Sequence, residues 1–274
     1  MTGGAGADDI DGGAGVDLIY GGTESDTIDG GAGDDEIYGD IDGYTSAAGD
    51  DELHGGDGAD RLYGERGNDV MYGDAGDDYL NGGSHDDILY GGDDNDDLRG
   101  EGGNDTLYGG AGDDELRGGT ALDTLYGGDG DDTLQGDSND DILYGDAGAD
   151  TLDGGSGADT LDGGSGNDVL DGGRDDDIID GADGDDILTG DDGDDLFFIR
   201  RGTGHDTITD FTALSAGAAY LDRIDLTEFG LSGFGDLSMD DSSGDTVIDL
   251  GAGDSLTLIG VGIGDLQAND FVFE

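Results

Sequence analysis

Cysteine, proline and tryptophan are absent from this sequence, and basic residues are scarce. The lack of cysteine excludes disulfide bonds as a means of stabilising the fold. Only 8 lysines and arginines oppose 72 aspartates and glutamates, so the formal net charge is −64. Because nucleic acids and anionic membrane surfaces would repel such a chain, we expect neither as a partner.

Long apolar runs and enzyme motifs are also missing. No stretch approaches the roughly 20 apolar residues that span a bilayer, so no membrane span is predicted. Met1 and Thr2 lead directly into Gly3, without the basic and apolar segments of a signal peptide. The chain has no His-Glu-x-x-His or Gly-x-Ser-x-Gly motif, and its 3 histidines are far apart. The many carboxylates do not by pattern exclude a catalytic pair, but we predict that the protein is not an enzyme.

Glycine and acid are what the chain has in abundance, with 63 glycines beside the 72 acids. High net charge with low hydrophobicity predicts disorder when taken alone. The acids, however, recur at fixed positions of a repeat, which favours a chain that folds when cations neutralise it. Since no disulfide is available, a bound metal is the expected stabilising element.

A nine-residue pattern, Gly-Gly-x-Gly-x-Asp-x-(apolar)-x, begins at Gly3 and occurs 21 times up to Phe198. Every copy has Gly at position 1, Asp at position 6 and an apolar residue at position 8. The fifth copy carries about seven extra residues near Ile41–Ala48. We therefore predict a repeat domain at residues 3–198 and a separate segment at residues 199–274.

Each fixed position suits a repeating turn and strand. Glycine permits a positive φ at the turn, so that carbonyl groups can converge on an ion. Aspartate is a short, hard oxygen donor, which suits calcium. Position 8 has neighbours that point to the other face of a strand, so its apolar side chain is expected to face inward. One nine-residue repeat would then comprise a six-residue turn and a three-residue strand, and two repeats would form one coil.

The pattern resembles the calcium-binding nonapeptide repeat of the RTX (repeats-in-toxin) family. The resemblance implies an all-β fold: a right-handed parallel β-roll, or solenoid, of about ten coils with bound calcium, followed by a β-rich cap. It also implies that each calcium ion lies between the turns of repeats n and n+2. Carbonyl groups at positions 2 and 4 and Asp at position 6 would bind it, and about 19 sites would be available.

The ligands that the resemblance implies recur along the whole repeat domain. Gly13, Gly15 and Asp17, for example, would share an ion with Gly31, Gly33 and Asp35. The full set is Asp8, Gly13, Gly15, Asp17, Asp26, Gly31, Gly33, Asp35, Asp51, Gly56, Gly58, Asp60, Gly67, Asp69, Gly76, Asp78, Asp87, Asp96, Asp105, Gly110, Gly112, Asp114, Asp123, Gly128, Gly130, Asp132, Asp141, Gly148, Asp150, Gly155, Gly157, Asp159, Gly164, Gly166, Asp168, Asp177, Gly184, Asp186, Gly193 and Asp195.

Position 4 departs from glycine in six repeats. The residues are Glu24, His85, Asp94, Ala121, Asn139 and Asp175. Asn and Asp tolerate a left-handed backbone, whereas Glu24 and Ala121 do so poorly, so weak or empty sites are expected beside these two. His85 is interpreted as a solvated turn substitution rather than a metal ligand.

Position 9 of alternate repeats is tyrosine five times in succession, which predicts a ladder of stacked phenols on one sheet. The five are Tyr72, Tyr90, Tyr108, Tyr126 and Tyr144, and a shorter ladder is expected at Tyr20, Tyr38 and Tyr63. In-register stacking and β-propensity are one explanation. The alternative is an extracellular adhesive or structural module, whose Tyr72–Tyr144 face binds a passenger domain, a glycan or another copy of the chain. A further alternative is the accessory module of a secreted enzyme.

The residues after Phe198 contain a degenerate repeat at 201–209 and several strand-like runs. These runs are Asp206–Phe211, Tyr220–Leu226, Asp245–Leu250, Asp254–Gly260 and Asp270–Phe273. The segment resembles the cap that follows RTX repeats in bacterial exported proteins, and Asn269–Glu274 is similar to the uncleaved signal read by type I secretion systems. The resemblance implies a protein exported while unfolded at low calcium, and folded by calcium in the extracellular space or at the cell surface.

Overall fold

The computed structural model describes residues 1–40, 49–202, 204–213 and 221–273. Strands dominate these residues, so the predicted all-β class and the parallel β-solenoid are confirmed, with about 11 turns. The chain divides into two units, Met1–Asp137 and Ser138–Glu274. Within the described ranges, no helix is long and apolar enough to cross a membrane.

The first unit is built from strands β1 to β15. Their bounds are β1 Thr2–Ala5, β2 Asp9–Asp11, β3 Leu18–Thr23, β4 Thr27–Ala32, β5 Glu36–Asp40, β6 Glu52–Asp57, β7 Arg61–Arg66, β8 Val70–Ala75, β9 Tyr79–Ser84, β10 Ile88–Asp93, β11 Asp97–Gly102, β12 Thr106–Ala111, β13 Glu115–Thr120, β14 Thr124–Asp129 and β15 Thr133–Ser138. Odd-numbered strands pair in sequence order in one sheet, and even-numbered strands pair in the other. The chain therefore alternates between two parallel sheets, as predicted for a coil of two repeats.

The second unit continues the alternation and then changes. Its strands are β16 Ile142–Ala147, β17 Thr151–Ser156, β18 Thr160–Asp162, β19 Val169–Arg174, β20 Ile178–Asp180, β21 Ile187–Asp192, β22 Leu196–Phe198, β23 His205–Ile208, β24 Arg223–Asp225, β25 Ser238–Asp240, β26 Thr246–Gly251, β27 Asp254–Leu258 and β28 Phe271–Val272. The two sheet orders in this unit are β17-β19-β21-β23-β27-β26-β25 and β16-β18-β20-β22-β24-β28. Short 3-10 helices lie at Thr227–Phe229, Phe234–Asp236, Ile263–Asp265 and Ala268–Asp270.

All five strand-like runs expected after Phe198 contain a strand in the structure, namely β23, β24, β26, β27 and β28. The pairing of β25 with β26 and of β26 with β27 is antiparallel, unlike the pairing of the repeats. Strand β25 was missed because its Ser-Met-Asp sequence has no β-branched residue and no clear alternation.

Most repeat strands are six residues long rather than the three expected from the sequence. Strand β12, for example, covers positions 7 to 9 of one repeat and positions 1 to 3 of the next. Gly110 at position 2 still pairs in register with Gly92 and Gly128 on the neighbouring strands. Because glycine at positions 1 and 2 lets adjacent coils approach closely, the ladder of hydrogen bonds continues past position 9. The turn is therefore reduced to positions 4 to 6.

The core of each unit is a column of position 8 side chains, as predicted. From Ile19 to Phe197 these side chains have no solvent exposure. Ile10 is the exception and is only half-buried. It lies on the edge strand β2, which pairs with β4 alone, so no preceding coil covers it.

The insertion predicted near Ile41–Ala48 lies outside the described residues, but its flanks show how the coils accommodate it. The backbone N–H of Asp26 donates to Asp51 Oδ1 at 2.7 Å, across 25 residues. Later turns make the same bond across 18 residues, as from Asp51 to Asp69 Oδ1 at 2.8 Å. The stacking of the turns is thus unchanged by the extra residues.

Glycine is required at position 1 because a Cβ there would clash with neighbouring atoms. The explanation from sequence, that the fixed glycine supplies a positive φ, is wrong for position 1. A Cβ on Gly109 would lie 2.4 Å from Asp114 Oδ2 and 2.6 Å from the carbonyl oxygen of Gly127. Position 1 glycines do not have positive φ, whereas Gly110 at position 2 and Gly112 at position 4 have φ values of 117° and 138°. Real Cβ atoms do not approach oxygen this closely, so every position 1 must be glycine.

We expect Gly109→Ala to destabilise the folded form by about 1–3 kcal/mol, because the added methyl group has no space beside Asp114. Gly102→Ala is the matched control. Gly102 stands at position 3 without a positive φ, and its Cβ would come no closer than 3.3 Å to Thr120 Oγ1. Thermal unfolding in saturating calcium measures the difference, and equal melting temperatures for the two variants would contradict this explanation.

Candidate metal sites

The position 6 aspartates form two ladders, one on each edge of the stacked turns. In each ladder, the backbone N–H of one Asp donates to Oδ1 of the Asp two repeats later, as from Asp105 to Asp123 at 2.8 Å. Further bonds of this kind start at Asp8, Asp17, Asp26, Asp35, Asp51, Asp60, Asp69, Asp78, Asp87, Asp96, Asp114, Asp141, Asp150, Asp159, Asp168 and Asp177. One oxygen of each carboxylate thus links two coils.

The other oxygen of these carboxylates is buried and has no hydrogen-bond donor. Oδ2 is in this state in Asp105, Asp114 and Asp177, and at further rungs of both ladders such as Asp69 and Asp78. Burial raises the pKa of Asp69 and Asp105 to about 8, although the backbone N–H bond partly opposes the rise. A buried anion without a partner is costly, so each ladder needs either a proton or a cation on Oδ2.

The turns place carbonyl groups beside these carboxylates. Between the turns of Gly110–Asp114 and Gly128–Asp132, the Gly110 carbonyl oxygen lies 2.1 Å from where a Cβ on Gly128 would be. The Gly112 carbonyl oxygen lies 1.9 Å from the equivalent position on Gly130. The Asp114 N–H donates to Asp132 Oδ1 at 2.8 Å. Carbonyl groups from positions 2 and 4 therefore line the gap between two turns that the carboxylates also enter.

The predicted sets of ligands are brought together in this way. Gly31 faces the carbonyl oxygen of Gly13, and Asp17 N–H donates to Asp35 Oδ1 at 2.7 Å. Every predicted glycine ligand except Gly193 has a positive φ between 95° and 157°. Gly193 nevertheless packs against the preceding turn like the other position 4 glycines: a Cβ added to it would lie 2.0 Å from the Asp175 carbonyl oxygen.

The six residues that replace glycine at position 4 keep the left-handed backbone. Even Glu24 and Ala121, with φ values of 72° and 92°, follow the glycine path. His85 has φ of 88° and is exposed. The shape of each turn is therefore retained at a cost of about 1 kcal/mol of strain per residue. Weaker binding beside Glu24 and Ala121 stays a prediction, with backbone strain as its cause.

A second ladder, at position 5, was missed by sequence reasoning. The N–H of Asp113 donates to Asn95 Oδ1 at 2.9 Å, and the N–H of Asp131 donates to Asp113 Oδ1 at 2.9 Å. The direction is opposite to that of the position 6 ladder, because the later repeat donates. The signal was present, since 15 of the 21 position 5 residues are Asp, Asn or Ser. These side chains hold the turns in register from outside.

The predicted tyrosine ladder is present in the first unit. Tyr72, Tyr90, Tyr108 and Tyr126 stack with centroids 4.8–4.9 Å apart and ring planes within 5° of parallel. His54 extends the row by stacking on Tyr72 at 4.5 Å. Inside the stack the ring faces contact one another, so the outer surface offers ring edges and hydroxyl groups. This geometry accords with in-register stacking.

Beyond the repeats, the aspartate ladders end on Asp206 and Asp222. Asp186 N–H donates to Asp206 Oδ1 at 3.4 Å, and Asp195 N–H donates to Asp222 Oδ1 at 3.3 Å. Asp222 differs from the repeat aspartates because Thr212 N–H donates to its Oδ2 at 2.6 Å. Asp222 stands two residues before the buried Ile224, the spacing of positions 6 and 8, which is the signal that could have located it.

The donor set fits a hard divalent cation. The turns bring carboxylate and carbonyl oxygens close together, and these are the ligands that calcium prefers. In the described part of the chain, no group of three or more His, Cys, Asp or Glu side chains could hold a metal ion by itself. The backbone must therefore supply a large share of the ligands.

Comparison with known proteins gives the following results. The sequence model of the RTX calcium-binding nonapeptide repeat family matches this chain at residues 1–19, 11–43, 45–80, 65–98, 81–116, 90–125, 117–152, 126–161 and 162–197. No match was found among curated proteins. The structure is similar to the AlgE6R3 subunit of the Azotobacter vinelandii mannuronan C5-epimerase, with 29% identity, 53% of this chain and 78% of that chain covered, and a TM-score of 0.35. It is also similar to the extracellular lipase LipA of Serratia marcescens, with 20% identity, 73% of this chain and 40% of that chain covered, and a TM-score of 0.32.

Without a divalent cation, the folded form should be favoured by acid. Burial raises the pKa of Asp78 and Asp177 from 3.8 to about 8. A raised folded-state pKa gives a stabilisation that is complete below pH of about 4 and is lost as the pH rises towards about 8. In chelator, we expect far-ultraviolet circular dichroism to show strand at about pH 4 and coil at about pH 8.

The same titration with excess calcium is the control for this prediction. Calcium replaces the proton on the carboxylates, so strand content should then persist to pH of about 8. A chain that is coil in chelator at every pH would show that charge on the buried aspartates is not what opposes folding.

Proposed function

Because the chain belongs to the family of RTX calcium-binding repeat proteins, we propose that it is a calcium-binding module whose repeats fold when calcium fills their turns. The observation that carries this proposal is the unpartnered Oδ2 atom of the position 6 aspartates, which recurs through both ladders. Each such carboxylate accepts one backbone N–H on Oδ1, which leaves its negative charge only partly compensated. A cation between the turns removes this penalty.

The order of events follows from the charge. With 72 acids and 8 bases, mutual repulsion opposes the compact state when calcium is scarce. When calcium is bound, it neutralises the carboxylates, and the position 8 side chains can then stack in the core. Each site draws ligands from two successive turns on one edge, so binding free energy becomes folding free energy and the transition should be steep in calcium.

We further propose that each site takes the carbonyl groups at positions 2 and 4 and the Asp at position 6 from repeats n and n+2. The stacked carbonyls between Gly110–Asp114 and Gly128–Asp132 support this ligand set. About 19 such gaps follow from 21 repeats. The role is binding and not catalysis, because the repeats use their carboxylates to link coils and hold cations.

Export before folding is part of the proposal. Within the segment that resembles a type I secretion signal, Asp270 is 1% exposed and Phe271 is buried in the folded chain. Strand β28 also pairs with β24. A secretion apparatus could read this segment only in the unfolded chain. Low calcium inside the cell and high calcium outside would then give export first and folding afterwards, in the extracellular space or at the cell surface.

Circular dichroism at neutral pH tests calcium-driven folding. We expect coil in chelator and strand after calcium is added, with a steep sigmoidal titration because neighbouring sites share a turn. Magnesium, which demands a tighter octahedral site, is the control cation and should be much less effective. A chain with equal strand content in chelator and in calcium would rule out the proposal.

Substitution of a single ladder aspartate tests the ligand set. Asp105→Asn keeps an oxygen that can accept the Asp87 N–H bond but removes the negative charge, so the number of bound calcium ions should fall by up to two. Asp113→Asn is the matched control, because Asp113 is exposed at position 5 and its only assigned role is to accept the Asp131 N–H. Native mass spectrometry counts the ions, and an unchanged count for Asp105→Asn would contradict the assignment.

A further inference from the structure

Two acidic residues lie side by side on the outer face of one sheet in the second unit. Asp162 on β18 pairs in register with Asp180 on β20, and Tyr144 and Phe198 occupy the same row on the adjacent strands β16 and β22. These residues and their neighbours line a shallow cleft of about 190 Å³. Asp180 is buried, with a side-chain exposure of 7%. Asp162 and Asp180 stand at position 9 of their repeats, on the outer face of the sheet. The proposed calcium sites lie in the turns, so calcium bound there does not neutralise this pair.

A guanidinium group from the chain itself offsets part of the negative charge of this pair. Arg200 follows β22 and reaches back over the sheet, where its Nε donates to Asp180 Oδ2 at 2.5 Å. Its Nη2 forms an ion pair with the same carboxylate and lies 3.8 Å from Asp162 Oδ2. The other oxygen of Asp180 accepts the Ala182 N–H at 3.1 Å. Both oxygens of this buried carboxylate are therefore bonded within the protein.

The next residue, Arg201, binds the segment that contains Glu228 and Phe229. Arg201 Nη2 donates to the Phe229 carbonyl oxygen at 3.0 Å, and its guanidinium lies 5.7 Å from the Phe229 ring centroid. Its backbone N–H donates to Glu228 Oε2 at 3.3 Å. Two consecutive arginines thus tie the last repeat strands to the 3-10 helix at Thr227–Phe229.

The strands beneath and beside Arg200 belong to three alternate repeats, whose turns stack on the same edge of the solenoid. Asp162 and Asp180 end the repeats that contain Asp159 and Asp177, and Phe198 ends the repeat that contains Asp195. On that edge, Asp159 N–H donates to Asp177 Oδ1 at 2.8 Å, and Asp177 N–H donates to Asp195 Oδ1 at 3.0 Å. The residue that joins these strands on the outer face therefore also fixes the spacing of two adjacent candidate sites.

We propose that Arg200 is a positioning residue for calcium binding, a resident cation that holds these three repeats together and raises the calcium affinity of the two sites between their turns. The inference rests on the proposed calcium-driven folding. Arg200 and calcium stabilise the same stacked arrangement of Asp159, Asp177 and Asp195, so each must increase the apparent affinity of the other. The ion pair offsets part of the free-energy cost of ordering the turns, so less of that cost opposes calcium binding.

The full chain with Arg200→Gln tests this inference. We expect the calcium concentration at half-protection, measured by hydrogen exchange and mass spectrometry for peptides covering 155–195, to rise roughly tenfold, because Asp180 is left buried without its cation. Arg117→Gln is the matched control. Arg117 is 42% exposed, close to the 48% of Arg200, but its partner Asp137 is itself 47% exposed. An exposed pair contributes little, so this variant should shift the midpoint by less than about twofold.

Two further variants separate positioning from simple damage to the fold. Arg200→Lys should recover part of the lost affinity, because it restores the charge without the bidentate geometry. Asp180→Asn added to Arg200→Gln should also recover affinity, because it removes the unpaired buried charge. Equal midpoints for Arg200→Gln and Arg117→Gln, or a further loss from Asp180→Asn, would overturn the assignment of Arg200. If the wild-type chain shows no calcium-dependent protection in any peptide, the proposed function fails, and this inference fails with it.

Discussion

The fold depends on the carboxylate of the aspartate at position 6 of each repeat, whose two oxygens have different surroundings. Oδ1 accepts a backbone N–H from the turn before, which fixes the distance between coils. Oδ2 is turned inward against the position 1 glycine, where no donor meets it. The same side chain is thus both a structural link and an uncompensated charge. The stacking of the coils and the proposed binding of cations therefore depend on the same group.

Other constraints follow from this placement. Position 1 must be glycine because Oδ2 occupies the space of its Cβ, as beside Gly109. Positions 2 and 4 must adopt a left-handed backbone so that their carbonyl groups face the gap, which Glu24 and Ala121 do despite the strain. The apolar column from Ile19 to Phe197 is buried only when the turns are stacked. The core is therefore formed by the same stacking that brings the position 6 aspartates together.

Much of this arrangement could be predicted from the sequence, since a pattern of three fixed positions over 21 copies determines the alternating sheets and the apolar core. Strand length could not, because pairing of Gly110 with Gly92 depends on close approach of coils and not on side-chain preference. The position 5 ladder was hidden by variation among Asp, Asn and Ser, which make the same bond. The contact of Arg200 with Asp180 could not be predicted, because Arg200 follows the last repeat and its position is not set by the repeat register.

The bond from Asp26 to Asp51 spans 25 residues and is 2.7 Å long, whereas the next bond in that ladder, from Asp51 to Asp69, spans 18 residues and is 2.8 Å long. The number of residues between two successive ladder aspartates can therefore differ, provided that the later aspartate still accepts the backbone N–H of the earlier one. Foreign peptides could be grafted at this turn without a change of phase in the coils that follow. A β-roll of this kind is in that sense a display scaffold, with natural precedent in its own fifth repeat.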